Sequence, residues 1–562
     1  MIRGIKGRAS HIRMFPGSAW PDNPKTFHSR AVHIISQGGR LTLKIAAVLF
    51  LLLAIVALEA AGAEGSSGVP MREIDAGEIL EKVQRGEAVE YDHIIIRGDL
   101  DLSRERLQKK ITSPIRISDS ILKGLISFNG STLEMPVDLS GSNFSKNAFF
   151  RKATFGNYVG FSQATFGGNA YFEGVTFRGN AIFWRAIFRG ESSFEGATFS
   201  SHVGFSQATF SGNAVFWQAT FSGDTSFGGS TFNKYAGFWQ ATFRGYAYFE
   251  GATFRGNAVF WQATFIDDAD FVRAAFSGAA DFTRSTLSGD ADFEEAAFSS
   301  DANFRDAAFS GGAGFDKAEF NGDIEFSDAR FENETSFYRI LFKRPAYFEN
   351  CHIESLNLTK AEYSRLHLRW DDIKSLHFDE AAYLALIKNY NSLGWYGDAN
   401  RCYYDYRNAV CRSGQAPSSG FAAKLSSLLD RLIDSMEWIL YGYGVRPSFP
   451  IAWSAAIILG FGLLFRQKRC LRKIITEERI EDAKDGSDEV LVQNKARKAP
   501  INFIDPFLFS LFTFTSGFTA FLHPAVEYKL ERCLRWAILE RLLGPFFLAL
   551  VITTISKTYL IR

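Results

Sequence analysis

Between Phe144 and Phe348 a Phe recurs every five, then six residues: Phe161, Phe166, Phe172, Phe177, Phe183, Phe188, Phe194, Phe199, Phe205, Phe210. Leu287 stands in one Phe slot. Five plus six makes a unit of eleven. An eleven-residue helical repeat needs several apolar positions per unit, and Gly at most units would weaken it by about 1 kcal/mol each. A short fixed period marks a solenoid instead. Gly and Asn-Ala or Asp-Ala steps follow the Phe at a fixed offset, as in Gly167-Gly168-Asn169-Ala170 and Arg255-Gly256-Asn257-Ala258. These residues predict turns with unusual φ. An Ala two residues before alternate Phe residues, as in Ala164-Thr165-Phe166, is small enough to point inward as well.

The true period is twenty-two. Phe172 and Phe194 are both followed by Glu-Gly, while Phe216, Phe238 and Phe260 are all followed by Trp-Gln. The intervening units differ. Stacked coils would therefore bring Trp217, Trp239 and Trp261 into one ladder, and Gln218, Gln240 and Gln262 into another. Recent duplication of a twenty-two-residue segment would leave the same trace. About nine coils at a strand spacing of about 4.8 Å give a rod of roughly 45 Å.

The pattern resembles the pentapeptide-repeat family in its Phe-rich form. In that family the centre of each five is Leu or Phe, and the residue two before it is small. The resemblance implies a right-handed quadrilateral β-helix. This chain departs in one respect: alternate faces carry an extra residue, so a coil holds about 22 residues rather than twenty.

The ends read differently. Residues 1–63 combine basic positions (Arg3, Lys6, Arg8, Arg13), an apolar run from Ile45 to Leu58 and Ala61-Gly62-Ala63, the make-up of a signal peptide or signal anchor. Residues 64–91 hold a short amphipathic helix, with Ile79, Leu80 and Val83 on one face and Gly86 at its end. It is expected to cap a rod running over 92–360, because an open coil edge invites aggregation. Residues 361–420 read as a helical hairpin cap and linker. The stretch Leu393-Gly394-Trp395-Tyr396-Gly397-Asp398-Ala399 resembles a single tetratricopeptide-type hairpin.

Residues 421–562 read as a membrane domain: a surface helix, then spans near 449–465, 503–522 and 536–556. Arg466, Lys468, Arg469, Arg472 and Lys473 follow the first span and read as cytoplasmic, which leaves the rod outside. Three spans would put the C-terminus inside. The layout also resembles the pore module of two-transmembrane potassium channels. That resemblance implies a filter at Thr515, Ser516, Gly517, Phe518 and Thr519. Ser516 and Thr519 depart from the family's Val and second Gly, and Thr does not readily take the φ that Gly supplies. Glu540 and Arg541 lie near a helix end and are expected to snorkel.

The chain has 562 residues, 56 of them Phe, and a formal net charge of +1, so nothing in the overall charge calls for nucleic acid. The five Cys show no CxxC spacing and imply neither a zinc site nor a disulfide framework. Cys402 and Cys411 read as buried helical thiols, with pairing as the alternative. The nine His are scattered, and no P-loop or GxSxG motif occurs. Asp267, Asp268, Asp270, Asp281, Asp290 and Asp292 read as solvated surface, with calcium attraction as the alternative. Asn129, Asn143, Asn333 and Asn357 begin sequons compatible with export.

The sequence thus predicts a mainly β chain with an α-helical cap and C-terminal transmembrane helices. It is expected to be non-enzymatic and to need no cofactor or metal. The expected partners are the membrane and an unknown protein or envelope component, with nucleic acid not expected. Two functions follow. One is a rod displayed on the extracytoplasmic side for binding or scaffolding, through Trp217, Trp239, Trp261 and the three Gln residues. The other is an ion channel, homo-oligomeric in that case, with the rod as its regulatory or assembly domain.

Overall fold

The structure is a computed structural model, and it describes residues 71–103, 110–413, 421–480, 492–516, 527–530 and 533–560. The export-type segment over 1–63 lies outside the described residues. So do Gly517, Phe518 and Thr519 of the expected filter.

The repeat forms a parallel β-solenoid. Its strands are mostly two residues long and stack in columns at a lag of twenty-two: Thr165 pairs with Ile187, Ala170 with Ser192, Thr176 with Thr198 and Ala181 with Val203. One column runs 14 strands deep, a second 13, and the other two join in a 23-stranded sheet. Fourteen strands at about 4.8 Å make a stack of roughly 60 Å, longer than the expected 45 Å. The rod starts earlier and ends later than its Phe pattern. Strand Arg72–Asp75, inside the segment read as cap, already pairs with Ile94–Arg97. At the far end Ile353 and Leu356 bridge to Ile373 and Leu376. Ile and Leu fill the inward slots there, so the Phe beat understates the rod.

The interior is one continuous apolar column. Every Phe from Phe150 to Phe348 on the five-and-six beat is buried. Rings one coil apart stack nearly face to face, as Phe216 and Phe238 do at 4.8 Å and 1°. Rings half a coil apart, on opposite faces, meet edge to face, as Phe227 and Phe238 do at 5.3 Å and 85°. Both geometries suit the aromatic quadrupole. The small Ala two residues before the Phe points in beside the ring; Ala164, Ala219 and Ala241 are fully buried.

The corners correct the sequence reading. The left-handed residue falls two positions after alternate Phe residues, every eleven residues from Gly130 to Asn350, and it is often not Gly: Gln163, Arg185 and Gln207 sit at φ 56–59°. The stack holds these strained corners in place, since the Gln163 N–H donates to Trp184 O one coil on, at 2.7 Å. The Gly of the Gly-Asn-Ala step answers a different need. A Cβ at Gly179 would lie 2.5 Å from the backbone carbon of Asn157 in the preceding coil. The Asn or Asp of the same step accepts a backbone N–H one coil later. Asn147 Oδ1 takes Asn169 N at 2.9 Å, and Asp268 Oδ1 takes Asp290 N at 2.9 Å.

Helix α1, Ala76–Gln84, covers the first coil with Ala76, Ile79 and Val83 buried; Asp75 caps its N-terminus, and Gly86 turns the chain at φ 72°. At the other end α2, Glu380–Ser392, and α3, Tyr396–Ser413, close the last coil. Asn389 stands in for a further strand: its side chain donates to Leu366 O at 2.8 Å and accepts from Leu366 N at 3.1 Å. Asp398 accepts from Trp370 N and from Arg369. The backbone edge that would otherwise be exposed is thereby satisfied.

The last part departs most from expectation. Helix α4, Phe421–Tyr441, leads through a 3-10 turn, Gly442–Gly444, into α5, Ser448–Gln467. An antiparallel strand pair, Leu471–Ile480 and Val492–Ala499, follows, and Glu527–Leu530 joins its edge. Between them lies α6, Asp505–Thr515, and α7 runs Leu534–Ile555. Of the expected span over 503–522, α6 covers Asp505–Thr515, and 517–522 lie outside the described residues. Eleven residues rise only about 16 Å, half of a hydrocarbon core. Among the described residues two helices, not three, are long and apolar enough to cross a membrane: Ser448–Gln467 and Leu534–Thr558. The chain beyond α7 returns to the rod end, where Lys557 Nζ donates to Tyr443 O at 3.3 Å. The end of α7 therefore lies on the rod's side of the helix pair, not opposite it.

Candidate functional site

The Trp and Gln residues singled out by the period lie together on one corner of the rod. Each Trp follows an inward Phe directly, so its ring must leave the core. Ring centroids of Trp217 and Trp239 are 5.5 Å apart, and those of Trp239 and Trp261 are 5.4 Å apart. The rings tilt at 71° and 56°, unlike the parallel Phe stack inside. Trp239 is 36% exposed and is the most open of the three. The next residue in each coil is the left-handed corner, Gln218, Gln240 or Gln262, at φ 53–54°. Gln218 Nε2 donates to Gln240 Oε1 at 2.9 Å, and Gln240 Nε2 donates to Gln262 Oε1 at 2.8 Å. Such an amide ladder is a known partner of in-register stacking.

A glycine shapes the patch. Gly237 sits in the outward column between Val215 and Val259. A Cβ there would lie 2.5 Å from Trp217 Nε1 and 2.6 Å from Tyr235 Cε1. The Trp217 and Tyr235 side chains therefore fold over the bare backbone. The Trp217 Nε1–H is buried and has no hydrogen-bond partner. The patch is aromatic and uncharged, whereas in earlier and later coils the same two columns carry ion pairs such as Arg151–Glu173 and Arg284–Asp306. Tyr235 and Gly237 were not singled out in the sequence; Gly237 breaks an Ala-x-Phe step in which bulkier residues are the rule, and that was the available signal.

The Asp cluster has a structural role. Asp268 and Asp290 accept backbone N–H groups one coil on, and Asp270, Asp281 and Asp292 accept from their own turns at 2.8–2.9 Å. Among the described residues no group of His, Cys, Asp and Glu is placed to hold a metal ion.

The helical end holds the second candidate. Helix α6 packs between α5 and α7. Phe507 lies against Gly462, where a Cβ would meet its ring at 2.4 Å. A Cβ on Gly544 would meet Phe514 O at 1.9 Å, so only Gly permits this approach of α7 to α6. Of the expected filter, Thr515 and Ser516 end α6 with their hydroxyls bonded back to Leu511 O and Thr513 O at 2.8 Å.

Two expectations fail here. Glu540 does not snorkel: it is fully buried and hydrogen-bonded to Ser510, because its position on α7 faces α6. Arg541, one residue on, is exposed and lines a groove with Thr513, Ser516 and Tyr528. The Cys residues do form a disulfide, Cys470–Cys533, with Cα atoms 5.9 Å apart. It joins the end of α5 to the start of α7. The antiparallel helix pair, which no local spacing reveals, brings them together. Cys402 is buried and Cys411 exposed, and they are not paired with each other; Cys411 Sγ bonds Asp434 at 3.2 Å. Burial pushes the Cys351 and Cys402 thiols up, well above the ordinary thiol range.

The rod is tied to the base of the helix pair by side chains. Arg446 stacks on Tyr404 at 3.8 Å, Trp438 Nε1 donates to Tyr404 at 2.7 Å, and Arg407 pairs with Asp434. Helix α4 uses its Asp434, Glu437 and Trp438 side for these contacts. Leu429, Leu432, Ile433 and Met436 remain exposed.

Comparison with known proteins agrees with the rod. The family profile described as pentapeptide repeats (9 copies) matches residues 128–176, 139–187, 183–231, 238–286 and 282–330. The chain thus carries pentapeptide repeats, built on a Phe ladder. No curated protein and no solved structure matches it.

Proposed function

We propose that this chain is a non-enzymatic, membrane-attached rod protein, which presents its β-helix for binding or scaffolding on the extracytoplasmic face of the cell membrane. The observation that carries the reading is the join. A closed and capped solenoid is coupled to the base of two apolar helices long enough to span, by Arg446 and Trp438 on Tyr404 and by Lys557 over the Tyr403 ring. The aromatic corner at Trp217, Trp239 and Trp261 is the contact face, and its partner is a protein or envelope component that accepts rigid aromatic anchors. The basic run Arg466, Lys468, Arg469, Arg472 and Lys473 supports placing the sheet end of the helix pair in the cytoplasm. With two spans, the rod and the C-terminus then share the outer side.

Protease added to intact cells tests this orientation. The rod should be cut or released without lysis, and the strand pair should need lysis. A rod protected until lysis, together with a Cys470–Cys533 bond that persists in cells, would reverse the orientation, since stable disulfides belong to oxidising compartments.

One observation favours a second reading. A half-length helix, α6, is clamped between two antiparallel spans and ends at Thr513–Ser516. A pore module would use such a helix to line its mouth, and in that reading the rod would serve assembly or regulation. Conductance in reconstituted bilayers that vanishes on changing Gly517 would support the pore. Bilayers that stay silent over the whole accessible range of voltage would remove it.

A further inference from the structure

We propose that Glu540 is a proton-binding site: its carboxyl is held as the neutral acid and, through Ser510, pins α6 between the two spanning helices until the proton leaves. The argument is a count of hydrogens. Ser510 Oγ lies 2.8 Å from Ile458 O on α5 and within hydrogen-bond distance of Glu540 Oε1 on α7. A serine hydroxyl has one hydrogen to donate, and a backbone carbonyl can only accept. Were Glu540 ionised, two acceptors would compete for that hydrogen, and one contact would be oxygen against oxygen. A protonated Glu540 resolves the conflict. It donates to Ser510, Ser510 donates to Ile458 O, and three helices are joined by one continuous chain of hydrogen bonds.

The surroundings agree. Glu540 and Ser510 are both fully buried, at 0% exposure. Glu540 Oε2 is buried with no partner. An unpartnered carbonyl oxygen of a neutral acid costs far less in an apolar setting than an unpartnered carboxylate charge. Among the described residues no cation is paired with the carboxyl in place of the proton. On α5 the nearest ionisable group by sequence is Arg466, which covers the Phe503 ring at 3.8 Å. On α6 it is Asp505, held by Lys473 at 3.0 Å and by Tyr528 at 2.9 Å. On α7 Arg535 and Arg541 are exposed. None of these is paired with the Glu540 carboxyl. The close approach at Gly544 and Phe514, four residues on, leaves little room for water to enter in place of the proton.

Losing the proton would put a bare charge among apolar side chains at the point that positions α6. Helix α6 would then loosen, and with it the Thr513–Ser516 end. The site depends on the packing of α5, α6 and α7 alone, not on which side of the membrane the rod occupies.

Infrared spectroscopy of the full chain in phosphatidylcholine nanodiscs provides the test, with Glu540→Gln and Ser510→Ala as variants. At about neutral pH, wild type minus Glu540→Gln should show a protonated-carboxyl stretch. Ser510→Ala should shift that band, because the acid loses its acceptor. The band should vanish as pH rises; the melting temperature of wild type should fall with pH below that point, where the unfolded chain has released the proton and the folded chain has not, and level off once the band is gone. Glu540→Gln, which can still donate to Ser510, should melt at a temperature that does not change there. A difference spectrum with only carboxylate absorption at about neutral pH overturns the proposal. So does a Gln variant that keeps the wild-type dependence of melting on pH.

Discussion

Phe238 lies midway along the ring column, and its replacement by Ala tests the account of the rod directly. The side chain is fully buried. It stacks at 4.8 Å on Phe216 below and on Phe260 above, and meets Phe227 and Phe249 edge to face at 5.3 and 5.5 Å. Truncating a buried Phe costs about 3–5 kcal/mol through lost transfer energy and the cavity left behind. Each aromatic pair adds roughly 0.5–1.5 kcal/mol beyond area. The flanking coils are fixed by their own backbone ladders and cannot collapse into the space. The upper end, about 5 kcal/mol, is therefore expected. Because each coil contacts only its neighbours, the loss should also uncouple the stack on either side. Urea unfolding of the full chain in detergent, followed by far-UV circular dichroism and by Trp fluorescence from the adjacent ladder, should show a lower midpoint and a broader transition. Phe238→Leu, which copies the natural arrangement at Leu287, should cost about 1.5 kcal/mol or less. If Ala costs under about 1 kcal/mol, or if Leu and Ala are equally harmful, the rings do not hold the coils together.

The converse change, Leu287→Phe, restores a ring between Phe265 and Phe309. It should raise stability by roughly 1 kcal/mol in the same urea titration; a lowered midpoint would mean the slot is shaped for Leu. At the corner, Gln240→Ala removes both ladder bonds and keeps the left-handed backbone, while Gln240→Gly removes them and relieves roughly 1–2 kcal/mol of conformational cost. Gly should therefore melt higher than Ala, and the opposite order would show that the corner is unstrained. Cys470→Ser opens a crosslink between residues 63 apart. Loop closure of that length is worth about 4 kcal/mol, so the variant should unfold earlier in its helical part and lose the faster migration of the oxidised chain on a non-reducing gel. An unchanged gel mobility would mean that the thiols are not joined in the isolated protein.

Much of the rod was legible because its period is a direct record of contact. A residue pairs with the one twenty-two later, so matching Trp-Gln steps announce neighbours in space. The inward Phe and Ala, the amphipathic cap with Gly86 and the two Trp and Gln ladders all follow from that rule. The corners were misread because Gly has two uses. It permits left-handed φ, and it permits close approach, and only coordinates show that Gly179 serves the second while Gln163 takes the first. The rod's ends were set too far in, since Ile74 before residue 92 and Leu366 after residue 360 occupy the same slots without the Phe beat. The helical end was least legible. Hydropathy sees the apolar stretch at 501–522 but not the eleven-residue helix, Asp505–Thr515, packed within it. Neither the Cys470–Cys533 pair nor the meeting of Glu540 with Ser510 leaves a local trace, because both arise from an antiparallel packing of segments far apart in the chain.

Exact stacking at a lag of twenty-two makes the rod tolerant of one kind of insertion and intolerant of another. Adding twenty-two residues anywhere in the array slides the aromatic corner by about 4.8 Å along the axis and leaves its compass bearing unchanged. Adding eleven keeps every ring in a Phe slot yet swings all that follows half a circuit around, so a partner reading both ends would find one of them facing away. Copy number in this chain is thus a setting for distance, and half-copies are a setting for direction.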